Sequence, residues 1–156
     1  MSAQSPSVLI ANGVNLDLLG TREPGIYGSQ SPGDLEAYLT DKAPKLAGCL
    51  GLSGCRLSFF QSNFEGAYLE KLGDDWDGII LNPGAWTHTS LALGDRLAAL
   101  AVPFVEVHLS AVCQREDFRQ RSFSAAHALG VVQGLGFDSY LAGLLALLSH
   151  LKTNQS

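Results

Sequence analysis

Several apolar runs in this sequence end abruptly in side chains that form hydrogen bonds. The clearest is a β-branched run that carries Glu106, ends at His108 and is followed by Ser110. Three other apolar runs end in polar residues: Asn12, the stretch Gln61-Ser62-Asn63, and Asn82. Open α/β sheets bind ligands at the edge where their parallel strands end. We therefore interpret these residues as one small-molecule active site.

His108 is a candidate general acid or base because the reference pKa of histidine, about 6.5, lies near physiological pH. A histidine after a strand also serves as a structural hydrogen-bonding group, and both roles stay open on this residue alone. Ser110 and the backbone N–H groups around Leu109 can cradle a carboxylate if the loop forms an anion-binding nest. Asn82 precedes Pro83-Gly84 and either caps that turn or contacts a ligand.

Two further sets of polar residues are less specific. Thr87 is a plausible helix N-cap, and His88 is then either exposed in the first turn or bound to ligand. The ligand role is favoured because the positive end of that helix would point at the pocket. Arg115 and Arg119 are four residues apart and would share a helical face, which is more often a solvated surface.

The segment between the first predicted strand and Ser31 is long, because connections in α/β folds usually take two to six residues. It carries several glycines and the apolar residues Leu16, Leu18, Leu19 and Ile26. Since these side chains can be buried, we expect a lid over the ligand edge rather than a disordered connector.

Tyr27 and Arg22 lie in this lid segment. A nearby guanidinium stabilises a phenolate, and lowering a tyrosine pKa from ~10 to ~8 takes roughly 2.7 kcal/mol. A tyrosinate would suit the removal of a weakly acidic proton beside a carbonyl group. The sequence lacks a Walker lysine, a G-x-S-x-G nucleophile motif and an H-E-x-x-H zinc motif.

Composition indicates one domain of 156 residues with 46% hydrophobic residues. A net charge of −5 with scattered basic residues argues against nucleic acid or an anionic membrane as partner. No run reaches the ~20 apolar residues of a membrane span, and the first residues lack the features of a signal peptide, so we expect a cytosolic protein. Three cysteines without CxxC spacing indicate buried or half-buried free thiols, with neither a disulfide nor a zinc site.

Short apolar runs alternate with amphipathic ones, which predicts βαβ units around a parallel sheet. We expect a single catalytic domain, 1–156, with a core of about 7–150, short flexible termini and a flavodoxin-like three-layer sandwich around a five-stranded parallel sheet. The predicted strands are 7–12, 55–61, 78–82, 103–108 and 128–133. The first predicted helix starts at Ser31. The other predicted helices are 65–73, 88–101, a short one near 115–121, and 137–151.

Three details of these helices are expected. Ser31 should be the N-cap of the first helix, with Leu35, Tyr38 and Leu39 on its apolar face, and Pro44 should bend or divide it. The helix 137–151 is apolar almost all round, so it should be covered on more than one side, most simply by other subunits. The glycines at 130, 134 and 136 should mark the turn into it rather than a nucleotide site.

Several blocks of residues, in order over about 7–150, resemble type II 3-dehydroquinate dehydratase. The blocks are Asn12-Gly13-x-Asn15-Leu16, Leu19-Gly20-Thr21-Arg22-Glu23-Pro24, Tyr27-Gly28, Gln61-Ser62-Asn63-x-Glu65-Gly66, 82–90, 106–110, Arg115-Glu116-x-Phe118-Arg119 and Gly134-Leu135-Gly136. The resemblance implies a hydro-lyase that removes water from 3-dehydroquinate by anti elimination through an enolate, with no cofactor and no metal. It implies a role in aromatic amino acid biosynthesis or in quinate breakdown.

The resemblance also implies roles for single residues. Tyr27 would be the base and Arg22 would lower its pKa, while His108 would protonate the leaving hydroxyl group and Glu106 would orient His108. The remaining residues would bind water or substrate: Asn15 a water at the enolate, Asn82, Leu109 and Ser110 the carboxylate, and His88 and Arg119 the ring hydroxyl groups. Asp95 would reach the site of a neighbouring subunit in a homododecamer built as a tetramer of trimers.

Three positions depart from the common pattern of that family: Val14, Phe64 and Gly94. Gly94 is the most unexpected, because it lies in a helix that should build the trimer contact and costs ~1 kcal/mol relative to alanine. Two other functions remain open. The first is a flavin or nucleotide binder of the flavodoxin type, which would need a phosphate-binding loop directly after the first strand; Asn12-Gly13-Val14-Asn15-Leu16 does not provide one. The second is an inactive homo-oligomeric scaffold, which would have no need to retain Arg22, Tyr27 and His108 together.

Overall fold

A computed structural model of the protein describes residues 5–21 and 29–154. In these ranges parallel strands form a five-stranded sheet in the order β2-β1-β3-β4-β5. The strands are β1 (Ser7–Asn12), β2 (Arg56–Gln61), β3 (Gly78–Asn82), β4 (Phe104–His108) and β5 (Gly130–Gln133). Each lies within two residues of its predicted bounds at either end, so the predicted parallel sheet is confirmed.

Helices cover both faces of this sheet and give the three layers that were predicted. They are α1 (Pro32–Cys49), α2 (Glu65–Leu72), α3 (Trp86–Thr89), α4 (Leu91–Ala99) and α5 (Phe137–Thr153). Because successive side chains of a strand point to opposite faces, β1 contributes to two cores. Val8 and Ile10 pack with residues of α1 and α5, whereas Leu9 and Ala11 pack with residues of α2 and α4.

Helix α1 begins as predicted. The Ser31 hydroxyl oxygen accepts a hydrogen bond from the Asp34 backbone N–H at 3.2 Å, and the Asp34 carboxylate accepts one from the Ser31 N–H at 2.7 Å. This reciprocal capping box satisfies two N–H groups at the helix start. Of the two expectations for Pro44, division of the helix is wrong, because one helix runs through Pro44 to Cys49, and a bend stays a prediction. Pro44 and Thr40 are both exposed, so water can solvate the Thr40 carbonyl that loses its N–H partner.

The predicted helix 88–101 with Thr87 as its N-cap is wrong. Two helices, α3 and α4, meet at Ser90, whose backbone is extended and whose hydroxyl oxygen accepts a hydrogen bond from Leu93 N–H at 2.9 Å. Ser90 is therefore the N-cap of α4. Thr87 lies inside α3, fully buried, where its hydroxyl group has other partners.

Helix α5 packs against the sheet on one side and against α1 on another. The chain itself thus covers much of the apolar surface that was expected to meet other subunits, although Leu145 stays 45% exposed. Gly134 and Gly136 have φ angles of 86° and 58°. These left-handed conformations favour glycine, so Gly134 and Gly136 mark the turn into α5 as predicted, whereas Gly130 begins β5.

The three cysteines are free, as predicted, but two of them are not buried. Cys49 and Cys113 are exposed, and Cys55 is partly buried against the core beside α1 and α5. Within the described residues, every helix is too short or too polar to cross a membrane.

Candidate active site

The strand order of the sheet determines where a pocket forms. The chain runs from β1 outward to β2 and then returns to β3 on the other side of β1. At such a switch point the loops diverge and leave a crevice beyond the carboxyl ends of the strands. Asn12 and Asn82 end β1 and β3 as register partners at this edge, and His108 ends β4 beside them.

A pocket opens at this edge, and it holds most of the predicted site residues. Its lining comes from the loop after β1, the turn after β3, the end of β4 and the segment that follows: Val14, Asn15, Leu16, Leu18, Leu19, Asn82, Gly84, Ala85, His88, His108, Leu109, Ser110, Val112, Arg115 and Arg119. Among the predicted residues, Asn15, Asn82, His88, His108, Leu109, Ser110 and Arg119 are therefore brought together.

Two predicted site residues within the described ranges, Glu106 and Asp95, are not in the lining of this pocket. Glu106 lies behind His108, and Asp95 is exposed on α4. Arg22 and Tyr27 lie outside the described residues, as does Ile26 of the expected lid. Leu19 of the same segment is buried in the core, and Leu16 packs against it, so the first part of the segment is anchored.

Glu106 and His108 are coupled through a direct hydrogen bond. Both belong to β4, two residues apart, so their side chains leave the same face of the sheet. The imidazole Nε2 of His108 lies 2.7 Å from Glu106 Oε1, and both side chains are buried. A carboxylate that accepts from Nε2–H orients the ring and leaves Nδ1 to exchange a proton with a ligand.

Glu106 is held by more than the histidine. The hydroxyl groups of Thr87 and Ser124 donate to its carboxylate oxygens at 2.7 and 2.6 Å. Burial of the carboxyl group raises its pKa, but the hydrogen bonds from His108, Ser124 and Thr87 and the histidine charge outweigh that effect. The pKa of Glu106 therefore lies below its ordinary value, and the group is a carboxylate at neutral pH.

Asn82 both caps its turn and faces the pocket, so the two alternatives for this residue coexist. Its Oδ1 accepts a hydrogen bond from Gly84 N–H at 3.2 Å, and its Nδ2 donates to the Tyr140 hydroxyl oxygen at 2.7 Å. Tyr140 in turn donates to Asn12 Oδ1 at 2.7 Å. This buried chain sets the orientation of the Asn82 amide group, which is the predicted carboxylate-binding group.

His88 is also oriented by a neighbour. Its Nδ1 lies 2.7 Å from the Arg121 carbonyl oxygen, which accepts a hydrogen bond from Nδ1–H and leaves Nε2 for a ligand. Arg115 and Arg119 do not share an α-helical face, because Arg115 follows one short 3-10 helix and Arg119 lies in the next. Both nevertheless line the pocket, and Arg119 Nε donates to Glu116 at 2.8 Å.

Asn15 is the only described residue other than glycine with a positive φ angle, at 64°. Its backbone N–H donates to Asn63 Oδ1 at 2.7 Å, and Gln61 Nε2 donates to the Gly13 carbonyl at 3.2 Å. Asparagine tolerates the left-handed conformation better than most residues. The polar end of β2 thus fixes the start of the loop that presents Asn15 to the pocket.

Sequence reasoning did not identify the residues that support the site from behind. Thr87, Ser122 and Ser124 surround Glu106, and Tyr140 supports Asn82. The hydroxyl group of Tyr140 in an otherwise apolar helix was a usable signal, because a buried tyrosine hydroxyl generally has a hydrogen-bond partner. The serines gave no comparable signal, since their partner is 16 or 18 residues away.

The assembled groups suit proton transfer on a small polar or anionic ligand. His108 supplies an acid or base, His88 and Asn82 supply oriented hydrogen-bonding groups, and Arg115 and Arg119 supply positive charge at the rim. In the described ranges no three His, Cys, Asp or Glu side chains gather as a metal-binding group.

Comparisons with known proteins show to which family the chain is similar. The sequence profile described as Dehydroquinase class II matches residues 6–148. A protein named 3-dehydroquinate dehydratase from Synechococcus sp. (strain CC9605) is 50% identical over 150 residues, covering 94% of this chain and 98% of that protein. The protein of the same name from Alkalilimnicola ehrlichii is 46% identical, with 94% of each chain covered.

Solved structures show the same fold. The type II dehydroquinase of Butyrivibrio crossotus superposes with a TM-score of 0.82 at 33% identity, covering 92% of this chain and 97% of that one. The type II dehydroquinase of Propionibacterium acnes superposes with a TM-score of 0.79 at 36% identity, covering 95% and 99%.

Proposed function

The chain belongs to the dehydroquinase class II family, and we propose that it is a hydro-lyase acting on 3-dehydroquinate. The proposed reaction is the anti elimination of water through an enolate to give 3-dehydroshikimate, in the shikimate pathway to aromatic amino acids or in quinate breakdown. The observation that carries the proposal is the buried His108–Glu106 pair at a pocket that also holds Asn82 and Arg119. Close relatives carry the name of this activity.

His108 is the proposed general acid. The ionised Glu106 accepts a hydrogen bond from Nε2–H of the doubly protonated ring, which donates its Nδ1 proton to the departing hydroxyl group. The C–O bond breaks, and the hydroxyl group leaves as water with that proton. Burial of the pair strengthens their interaction because the local dielectric constant is low.

Tyr27 is the proposed base, acting on the opposite side of the bound ring. It would remove the proton beside the ketone, and Arg22 would lower the pKa of its phenol group. Both residues lie outside the described ranges, so the support comes from their positions in the sequence and from the anchored start of the same segment at Leu19. Asn15, at the rim of the pocket, would hold the water that stabilises the enolate.

The remaining pocket residues are the proposed substrate contacts. Asn82, Ser110 and the backbone of Leu109 would bind the substrate carboxylate, and His88 and Arg119 would bind the ring hydroxyl groups. The support is that all five line one pocket and that Asn82 and His88 are pre-oriented by hydrogen bonds. Pre-orientation lowers the cost of holding the substrate in a reactive geometry. In this proposal neither a cofactor nor a metal takes part.

We further propose that the enzyme is a cytoplasmic homododecamer, a tetramer of trimers, in which Asp95 reaches a neighbouring active site. Asp95 is exposed on α4, and Leu91, one turn earlier on the same face, is 63% exposed. An exposed leucine beside an exposed carboxylate suits a subunit contact. The free cysteines agree with a reducing compartment.

The direct test is to mix the purified protein with 3-dehydroquinate and to follow the ultraviolet absorbance of the conjugated enone product. We expect turnover by the wild type and a large loss in Tyr27→Phe. Tyr38→Phe is the matched control. The Tyr38 hydroxyl group donates to Asp138 between α1 and α5 and does not line the pocket, so this variant should keep its activity. An inactive wild type, or full activity in Tyr27→Phe, would overturn the function or the mechanism, respectively.

Two other measurements address the alternatives. A flavin binder would show visible absorbance after purification, which the proposed enzyme should not show. Treatment with borohydride in the presence of substrate should leave activity intact, because no lysine lines the pocket among the described residues. Inactivation would indicate an imine intermediate and contradict the proposed enolate route.

A further inference from the structure

Three hydroxyl groups form a cluster around the carboxylate of Glu106, beyond its bond to His108. Ser124 Oγ lies 2.6 Å from Oε2, and Thr87 Oγ1 lies 2.7 Å from Oε1. Ser122 Oγ lies 2.6 Å from Thr87 Oγ1. Thr87 and Ser124 are fully buried, whereas Ser122 is partly exposed. We call Thr87, Ser122 and Ser124 the hydroxyl cluster.

The direction of the hydrogen bonds in this cluster follows from the ionised carboxylate of Glu106, which only accepts. The Ala125 N–H donates to Ser122 Oγ at 2.9 Å, and a backbone N–H is always a donor. Thr87 donates its one proton to Glu106 Oε1, so in the contact between Thr87 and Ser122 the Thr87 oxygen accepts and Ser122 donates. Ser124 donates a separate hydrogen bond to Glu106 Oε2.

These hydrogen bonds stabilise the ionised form of the carboxyl group. Both carboxylate oxygens accept hydrogen bonds from hydroxyl groups, and Oε1 also lies within hydrogen-bonding distance of His108 Nε2. Together these contacts lower the pKa of Glu106 below its ordinary value, although burial of the carboxyl group acts in the opposite direction. The cluster therefore favours the carboxylate, which is an acceptor only, and Nε2 of His108 must be the donor in their shared hydrogen bond.

The same short segment orients both histidines of the pocket. Ser122 and Ser124 contact Glu106, and the Arg121 carbonyl accepts from His88. The Phe123 N–H donates to the Thr87 carbonyl at 2.8 Å, which fixes the segment against α3. Hydrogen bonds of residues 121–124 thus help to determine which ring nitrogen of His88 and of His108 is free to contact a ligand.

We propose that Thr87, Ser122 and Ser124 are positioning residues that hold Glu106 as an acceptor and so keep His108 protonated at Nε2, with Nδ1 directed to proton transfer. None of the three touches the substrate in this proposal; they act through Glu106. The effect on turnover rests on the proposed function, whereas the effect on the His108 tautomer does not.

The test compares Ser124→Ala and Thr87→Val with Ser139→Ala. Ser139 is the matched control because it is also fully buried, but its hydroxyl oxygen accepts from Leu135 N–H, away from Glu106. Nitrogen-15 NMR of labelled histidine reports which ring nitrogen carries the proton in the free protein. The wild type and Ser139→Ala should show His108 protonated at Nε2, and the two cluster variants should show a mixture of tautomers.

Turnover provides the second readout. In Ser124→Ala and Thr87→Val we expect kcat to fall about tenfold with KM changed less than about twofold, the size expected when one hydrogen bond to a charged group is lost. Thr87→Ser should recover most of the activity that Thr87→Val loses, since it restores the hydroxyl group. Ser139→Ala should keep both constants.

An unchanged His108 tautomer in both cluster variants would overturn this proposal, as would an equal loss of kcat in Ser139→Ala. If the wild type does not convert 3-dehydroquinate, the proposed function fails on that result alone. The NMR comparison would still decide whether the hydroxyl cluster sets the tautomer.

Discussion

Gly94 of α4 lies so close to Phe123 that a Cβ atom at position 94 would stand 3.1 Å from the Phe123 carbonyl oxygen. The segment on which Phe123 lies also carries Ser122 and Ser124 and is bound to the Thr87 carbonyl. Glycine costs ~1 kcal/mol relative to alanine in a helix. Here the absent side chain allows the segment to pack against α4, so this glycine has a role within its own chain.

Gly94→Ala should therefore destabilise the protein and lower kcat, although alanine is the better helix former. The added methyl group pushes on the segment that holds Glu106, and we expect a loss of about 1 kcal/mol or more, as for overpacking. Gly48→Ala in α1 is the matched control, because nothing lies within 4 Å of its Cβ position. It should raise the thermal midpoint slightly; a higher midpoint in Gly94→Ala would contradict the packing argument.

His108→Gln should remove proton transfer while keeping an amide N–H for Glu106. General acid–base groups contribute typically 10²–10⁴-fold to rate, so we expect kcat to fall by at least about 100-fold with the fold intact by circular dichroism. His150→Asn is the control, because His150 pairs with Asn154 at the end of α5, away from the pocket. A loss below tenfold in His108→Gln would remove His108 from the proposed mechanism.

Tyr140→Phe should weaken substrate binding more than turnover. The change leaves the ring buried but removes the hydroxyl group that joins Asn82 to Asn12. We expect KM to rise about tenfold, and stability to fall by about 1–3 kcal/mol because buried amide groups lose a partner. In Tyr68→Phe, an equally buried tyrosine loses its bond to the Ala11 carbonyl, so stability should fall while KM stays unchanged. Equal KM values in the two variants would show that Tyr140 does not orient Asn82 for substrate binding.

Acid should destabilise the protein partly through Glu106. Its pKa in the folded state lies below the ordinary value of 4.5, so its stabilising contribution is complete above that pH and is lost as pH falls through the folded-state pKa. Glu106→Gln lacks this contribution. The difference in unfolding free energy between wild type and Glu106→Gln, from urea titrations at pH 7 to 3, should narrow below about pH 4.5. A constant difference would show that Glu106 does not titrate in this range.

The sheet was predictable because each strand is a short apolar run with a polar end. Asn12, Asn82 and His108 mark both where their strands stop and where the pocket lies. The start of α1 was predictable because Ser31 and Asp34 form a local capping motif. Such signals are contained within a few neighbouring residues.

The errors arose where distant contacts decide the local conformation. Thr87 has a side chain suited to an N-cap, but Glu106 and Ser124 take its hydroxyl group, and Ser90 caps the helix instead. Cys113 was expected to be at least half-buried but lies exposed in a short 3-10 helix near the pocket. No pattern within a few residues of these positions reports such contacts.

The hydrogen bond between Tyr140 and Asn12 joins positions 128 residues apart. During synthesis on a ribosome, all five strands and the acid–base pair on β4 leave the exit tunnel before α5 does. A nascent chain at that stage lacks the group that orients Asn82. Efficient substrate binding should therefore begin only after α5 has packed against the sheet. Enzymatic activity would then appear only once the chain has folded completely.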